Sequence, residues 1–229
     1  MNKLHFCKRI ALIVILLFTL TSVPFAHANP SLPIVSNQGI YAIEIYPLNH
    51  KLVLYMLGKP LKTYPVAVGN PSTPTPVGDY LVTYKGRNWG PSYGPRWIGL
   101  DVPWGFYGIH GTNRPDSIGK HQSHGCIRMR NRDVIELFDI VPVGTRVTIV
   151  GHVLGSPNEN PRVLAENDVG GDVQLIQSRL KSAGYFNGAC DGKFRSDTTA
   201  ALKHFQRDHQ LEPDGVADIE VYENLGLIE

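Results

Sequence analysis

Cysteine is scarce in this chain. There are three among 229 residues, and Cys7 falls in an N-terminal segment that reads as a removable leader. Cys126 and Cys190 remain, in segments of different character, too few for the disulfide framework of a small secreted domain. A lone exported thiol is more plausibly kept for reactivity, and Cys190 reads as a packing thiol. An excess of either charge is also lacking. Lys and Arg number 22 against 20 Asp and Glu, with no basic block, so charge gives no argument for nucleic acid. Long apolar runs are lacking beyond Ile10 to Leu20, so no membrane span is expected after the leader. His110, His121, His124 and Cys126 offer a nominal zinc donor set, but their spacing is not a strong zinc pattern. A metal-bound thiolate would also be silenced as a nucleophile. Neither metal nor cofactor is expected.

The leader itself has three parts. Lys3, Lys8 and Arg9 form a positive segment, Ile10 to Leu20 an apolar one, and Ala26-His27-Ala28 a small-x-small cleavage site. Residues 1–28 therefore read as a signal peptide, the alternative being an uncleaved anchor. Cys7 precedes the apolar run, unlike a lipoprotein cysteine. Cleavage removes three of the 22 basic residues and no acidic one, which leaves the mature chain near neutral.

Residues 37–151 read as short strands with turn residues every 8–12 positions, the pattern of a sandwich or barrel. Strands are expected over Ile40 to Tyr46, Leu52 to Leu57, Leu61 to Val68, Gly78 to Tyr84 and Arg146 to Val150. Residues 86–106 read as a long loop with a short strand near Trp97. Asn131 is placed to N-cap a helix through Ile140, with Val134, Leu137 and Phe138 on its apolar face. Residues 152–168 have the composition of a linker. Residues 169–229 turn helical: Val173, Ile176 and Leu180 share one face, Ala201, Leu202 and Phe205 another, and a third short helix covers Ile219 to Leu225. The fold class is therefore multi-domain: a mainly-β sandwich or barrel with a short helix, then a small all-α, three-helix domain. No internal repeat is visible in the sequence.

The chemistry concentrates in Ser123-His124-Gly125-Cys126-Ile127-Arg128, with Ile109-His110-Gly111 upstream. Thiolate is the reactive form of cysteine, and a nearby imidazole is the usual means of generating it. This constellation resembles the signature of the L,D-transpeptidase catalytic domain (YkuD-type), and Thr75-Pro76-Val77-Gly78 resembles that family's Thr-Pro-x-Gly loop. The resemblance covers about residues 38–151 and implies a β-rich fold. It also implies a reaction on peptidoglycan stem peptides: a tetrapeptide donor forms a thioester and loses D-alanine. The side-chain amine of a second stem then attacks to give a 3→3 cross-link.

On this resemblance Cys126 is the nucleophile and His110 the base, and the Gly111 carbonyl orients the imidazole. Backbone N–H groups near Gly125 and Cys126 form the oxyanion hole. His124 is expected to line the site, with catalysis through His124, alone or shared with His110, as the alternative, and Ser123 and Arg128 are expected to contact substrate. For Arg128 the options are a stem carboxylate, a salt bridge or a loop clamp. Trp89, Tyr93, Trp97 and Trp104 either wall the substrate groove or cover the sheet edge. His121 reads as an exposed loop histidine. Carbapenems are expected to acylate Cys126.

The C-terminal segment resembles small helical peptidoglycan-binding domains through Gly171-Asp172-Val173, Gly184-Tyr185, Asp191-Gly192-Lys193-Phe194, Phe205-Gln206 and Asp214-Gly215-Val216. It departs from the pattern at Arg195, where glycine is usual. The competing readings are a sortase-like or papain-like cysteine enzyme and a non-catalytic wall-binding protein. The order of His110 before Cys126, and Arg128 only two residues on, disfavour the first. The filled catalytic positions disfavour the second.

Overall fold

The computed structural model describes residues 39–156 and 159–229. The expected signal peptide, Met1 to Ala28, lies outside the described residues. The strands are β1 (Tyr41–Tyr46), β2 (Lys51–Met56), β3 (Lys59–Gly69), β4 (Gly78–Arg87), β5 (Arg96–Leu100), β6 (Tyr107–His110), β7 (His121–Ser123), β8 (Ile127–Met129) and β9 (Arg146–Ile149). They are hydrogen-bonded in the order β2-β1-β9-β4-β5-β6-β8-β3-β7, and β3 also pairs with β2. That last pairing closes a ring of strands, and β7 hangs on β3 outside it.

Period-two alternation builds the interior. Ile43 and Ile45 of β1, Leu52 and Leu54 of β2, Val66 and Val68 of β3, and Val147 and Ile149 of β9 are buried in one core. β3 makes the corner. Its first half is exposed and pairs antiparallel with β2, while its second half is buried and pairs with β8 and then β7. β4 does the same on the other side, pairing with β9 through Gly78–Leu81 and with β5 beyond. Two long strands thus carry the chain from one sheet to the other.

α1 (Asn131–Ile140) packs Val134, Leu137 and Phe138 onto this core. The Lys85 ammonium donates to the carbonyls of Phe138 and Val141, satisfying acceptors that the helix leaves open at its C-terminus. Asn131 does not cap the helix as its composition suggested. Arg130 takes the N-cap position without a side-chain bond, and Asn131 reaches elsewhere, as described below.

α2 (Gly171–Ser182), α3 (Ser196–Asp208) and α4 (Ile219–Asn224) surround a second core that includes Val173, Ile176, Leu180, Phe194, Leu202, Phe205 and Tyr222. Leu164, inside the stretch read as linker, is fully buried there and pairs with Ala217. Arg162 bridges Asp168 and Asp172. One hydrogen-bond arrangement occurs twice in this core. Gln177 accepts from the Gly192 N–H at 2.9 Å and donates to the Lys193 carbonyl at 3.0 Å. Gln206 accepts from the Gly215 N–H at 2.8 Å and donates to the Val216 carbonyl at 3.0 Å. Each buried glutamine grips the Asp-Gly turn that follows its helix. Asp191 and Asp214 accept from the backbone two residues on, which is the reason for aspartate at such turns. Arg195, the departure from the usual pattern, pairs with Asp191 at 3.0 Å and so ties the start of α3 back to the first turn.

Candidate active site

Strand register assembles the site. β5 and β6 set Trp97 opposite His110, and the parallel pairing of β6 with β8 sets His110 beside Arg128. Cys126 immediately precedes β8, so it arrives at the level of β6 although sixteen residues separate it from His110. The turn before it is held internally. The Ser123 hydroxyl donates to the Cys126 carbonyl at 2.5 Å and accepts from the Gly125 N–H at 3.1 Å. Gly125 has φ +103°, and a Cβ there would lie 2.6 Å from the Tyr107 ring. Conformation and space both demand glycine. The Ser123 carbonyl is anchored by the Asn70 side-chain amide at 3.1 Å. The Thr75 hydroxyl accepts from the Gly69 N–H at 2.8 Å and fixes the end of β3.

His110 is only 3% exposed. Its Nδ1 lies 2.5 Å from the Gly111 carbonyl. A carbonyl only accepts, so Nδ1 carries the hydrogen and Nε2 keeps its lone pair. Burial pulls the imidazole pKa down to about 4, against the Gly111 bond, and Arg128 adds to the depression. Burial pushes the Cys126 thiol up, opposed by a backbone hydrogen bond from Gly108 and by Arg128. Burial thus works against the charged form of both groups, the imidazolium and the thiolate.

Gly111 holds its place by close approach. A Cβ there would meet the Asn131 Oδ1 at 2.4 Å and Pro95 at 2.9 Å. The Asn131 Oδ1 accepts from the Thr112 N–H at 2.9 Å. Asn131 thus locks the backbone that carries the Gly111 carbonyl, a role its position at a helix start concealed.

Aromatic side chains back the histidine. Trp97, fully buried, stacks on His110 at 5.3 Å and 13°, and Tyr93 meets its edge at 5.1 Å. Trp89 and Phe106 stack on Trp97 at 4.9 and 4.8 Å. Phe106 is 61% exposed, and its carbonyl lies 3.9 Å from the Cys126 Sγ. Trp104 does not belong to this stack. It sits within the barrel core and against the helical segment, so it neither walls the groove nor covers a sheet edge.

An open cleft of about 300 Å³ is lined by His110, His124, Cys126 and Arg128, together with Tyr93 and Arg114 among others. Ser123 also borders it, with its one proton used inside the turn. Gly111 and Gly125 act from behind, through main chain alone. Arg128 donates from Nη1 to the Gln122 carbonyl at 3.0 Å, and among the described residues no carboxylate lies within ion-pair distance of it. His124 is exposed at the mouth. His121 is exposed too, on β7, edge-on to His50 at 4.4 Å. Cys126 and Cys190 are both free thiols, and the described residues contain no cluster of three or more metal-ligating side chains. Asn70, Tyr107 and Asn131 support the site but carry no sequence signal of it, because each acts through backbone or close packing.

A closed β-ring holds a thiol and a buried, main-chain-oriented imidazole in one cleft, the parts that a cysteine enzyme requires. Comparison with known proteins narrows this. Residues 40–149 match the family model "L,D-transpeptidase catalytic domain", and residues 169–225 match "Putative peptidoglycan binding domain". A Bacillus subtilis relative, "Putative L,D-transpeptidase YkuD", is 42% identical over 146 residues, covering 58% of this chain and 88% of the relative. A second from the same organism, "Putative L,D-transpeptidase YqjB", is 38% identical over 144 residues, covering 55% and 81%. The solved catalytic domain of an E. faecium L,D-transpeptidase is 28% identical, with a TM-score of 0.43, over 48% of this chain and 96% of that one. The chain belongs to the L,D-transpeptidase family, with a peptidoglycan-binding-type helical domain after the catalytic one.

Proposed function

We propose that this protein is an exported L,D-transpeptidase that forms 3→3 cross-links through a thioester on Cys126. The observation that carries the reading is the His110 tautomer. With Nδ1–H held by the Gly111 carbonyl, Nε2 is left as an acceptor in the cleft that also holds Cys126. In the first step the Cys126 Sγ bonds to the carbonyl carbon of the donor's third residue, and its proton passes to His110 Nε2. The carbon–nitrogen bond to D-alanine then breaks, and His110 returns the proton to the departing amine. In the second step the acceptor amine loses a proton to Nε2 as it attacks the thioester. The carbon–sulfur bond breaks and the thiolate takes the proton back. The Cys126 N–H serves the oxyanion, since the Gly125 N–H already bonds to Ser123. Arg128 has donors to spare and, among the described residues, no carboxylate partner, which supports a role in holding a stem carboxylate.

A depressed imidazole and a raised thiol suit this chemistry. Proton transfer is coupled to bond formation, so the thiolate appears only when a carbonyl is in place. The helical domain raises the local concentration of wall substrate. Export rests on the leader, residues 1–28. Among the described residues no helix is long and apolar enough to cross a membrane. The strained amide of a carbapenem is expected to acylate the same sulfur, which intact mass reports as an added drug.

The test is mature protein, residues 29–229, with disaccharide-tetrapeptide muropeptides and mass spectrometry, alongside Cys126→Ala. A dimer lacking one D-alanine, absent with the variant, supports the reading. D-alanine release without dimer points to a carboxypeptidase. A folded protein inert toward several donor stems overturns it.

A further inference from the structure

Trp104 plays no part in the chemistry above, yet it connects two regions of the molecule. It lies in the loop between β5 and β6 and is only 8% exposed. On one side it meets glycines of the helical domain. A Cβ on Gly192 would come within 2.6 Å of the indole, and one on Gly171 within 3.6 Å. Gly192 is in the turn gripped by Gln177. The duplicate turn at Gly215 faces Thr199 and Lys203 instead, so only the first of the paired turns seats an indole.

On its other side Trp104 meets the barrel. Its ring is edge-on to Tyr80 at 6.3 Å, and its indole acts on the Tyr107 hydroxyl, opposing the rise that burial gives that group's pKa. The Tyr107 ring lies against Gly125, and the Phe106 carbonyl lies against the Cys126 Sγ. Within four residues the chain thus touches the helical domain at 104, the sulfur at 106 and the nucleophile's turn at 107.

We propose that the helical domain is part of the catalytic apparatus: through Trp104 it holds the loop that packs Phe106 and Tyr107 against Cys126. Trp104 is a positioning residue, and the proposal rests on the reading of Cys126 as nucleophile. Burial is what raises the thiol, so releasing the loop admits water and lowers it. Misplacing the sulfur relative to a bound carbonyl slows acylation.

The experiment uses the full mature chain as wild type, Trp104→Ala, Trp104→Phe and Gly171→Arg. Gly171 opens α2 and is partly exposed; a Cβ there touches the indole at 3.6 Å and crowds Val153 at 3.3 Å, so the rest of an arginine side chain has to displace one of these neighbours or swing out to solvent. The first readout is the pH midpoint of iodoacetamide alkylation at Cys126, resolved by peptide mapping, with Cys190 as internal reference. The second is turnover on the tetrapeptide. Trp104→Ala and Gly171→Arg are expected to lower the Cys126 midpoint and to reduce kcat on the order of tenfold, with less change in KM. Trp104→Phe is expected to restore both. The proposal is overturned if Gly171→Arg, folded by circular dichroism, keeps the wild-type midpoint. It is overturned equally if Trp104→Ala lowers only Tm. Should wild type itself release no D-alanine, the transpeptidase reading fails while the alkylation midpoints still decide this one. If Trp104→Ala does not fold, Gly171→Arg decides it from the other side.

Discussion

The two cores of this molecule treat buried polar groups in opposite ways. In the helical domain they are satisfied. Gln177 and Gln206 are almost fully enclosed, and both ends of each amide hydrogen-bond to turn backbone or nearby side chains. Such groups specify a fold and offer nothing to a ligand. In the barrel, His110 is as deeply buried, yet it lines an open cleft together with a half-buried thiol, its Nδ1 committed to the Gly111 carbonyl. A buried polar atom left available is costly to stability and valuable to chemistry.

Removing the groups that embody this contrast should separate activity from stability. Cys126→Ala is expected to abolish turnover, a loss on the order of 10³-fold or more, with little change in Tm. Muropeptide mass spectrometry and a thermal melt check both halves. His110→Gln is expected to cost about 10²–10⁴ in kcat/KM. It should also flatten a pH effect on folding. The imidazole binds a proton near pH 6.5 when unfolded and only near 4 when folded. Its burial is therefore tolerated in full above pH 6.5, and stability drains away as pH falls from there through 4, by about 3 kcal/mol. Urea unfolding of wild type should show this loss, and His110→Gln should lack most of it.

Gln206→Ala is the converse. It leaves the Gly215 N–H and the Val216 carbonyl without their partner and should destabilise the protein by about 2–3 kcal/mol. A variant that stays folded should keep Cys126 chemistry near wild type. Asn131→Ala tests support behind the histidine. Losing the bond to the Thr112 N–H should cost about 1 kcal/mol in stability. It should cost a few-fold in kcat, readable by steady-state kinetics. The smallest effect is reserved for Lys62→Ala. Its ion pair with Glu136 at 2.6 Å is largely exposed, and such pairs contribute under about 1 kcal/mol. A Tm shift beyond a few degrees would show that this surface matters more than its exposure implies.

Legibility in the sequence followed local signal. The long strands announced themselves by alternation, and α1 to α4 by helical spacing and stops such as Gly184. The three-residue strands β7 and β8 did not: His121-Gln122-Ser123 is wholly polar, and Ile127-Arg128-Met129 alternates over too few residues to establish a period. Asn131 has the chemistry of a cap but bonds to the Thr112 N–H instead, because capping and a long-range backbone bond call for the same side chain. Trp104 was misplaced among the groove aromatics because proximity in sequence to Trp97 says nothing about which side of the loop it leaves. The paired arrangement around Gln177 and Gln206 has no sequence signature, because its two instances differ in spacing.

The sequence alone determined the class of architecture, the division into a strand-rich and a helical region, and the candidate nucleophile with its histidine. Those rest on residue chemistry and short-range periodicity, which the chain carries wherever it goes. Tertiary structure alone decided which imidazole nitrogen bears the proton, that burial works against the charged forms of the thiol and the imidazole, and that an indole joins the helical domain to the loop beside Cys126. Each of these depends on burial and on contacts between residues far apart in the chain, and neither quantity exists before the strands close.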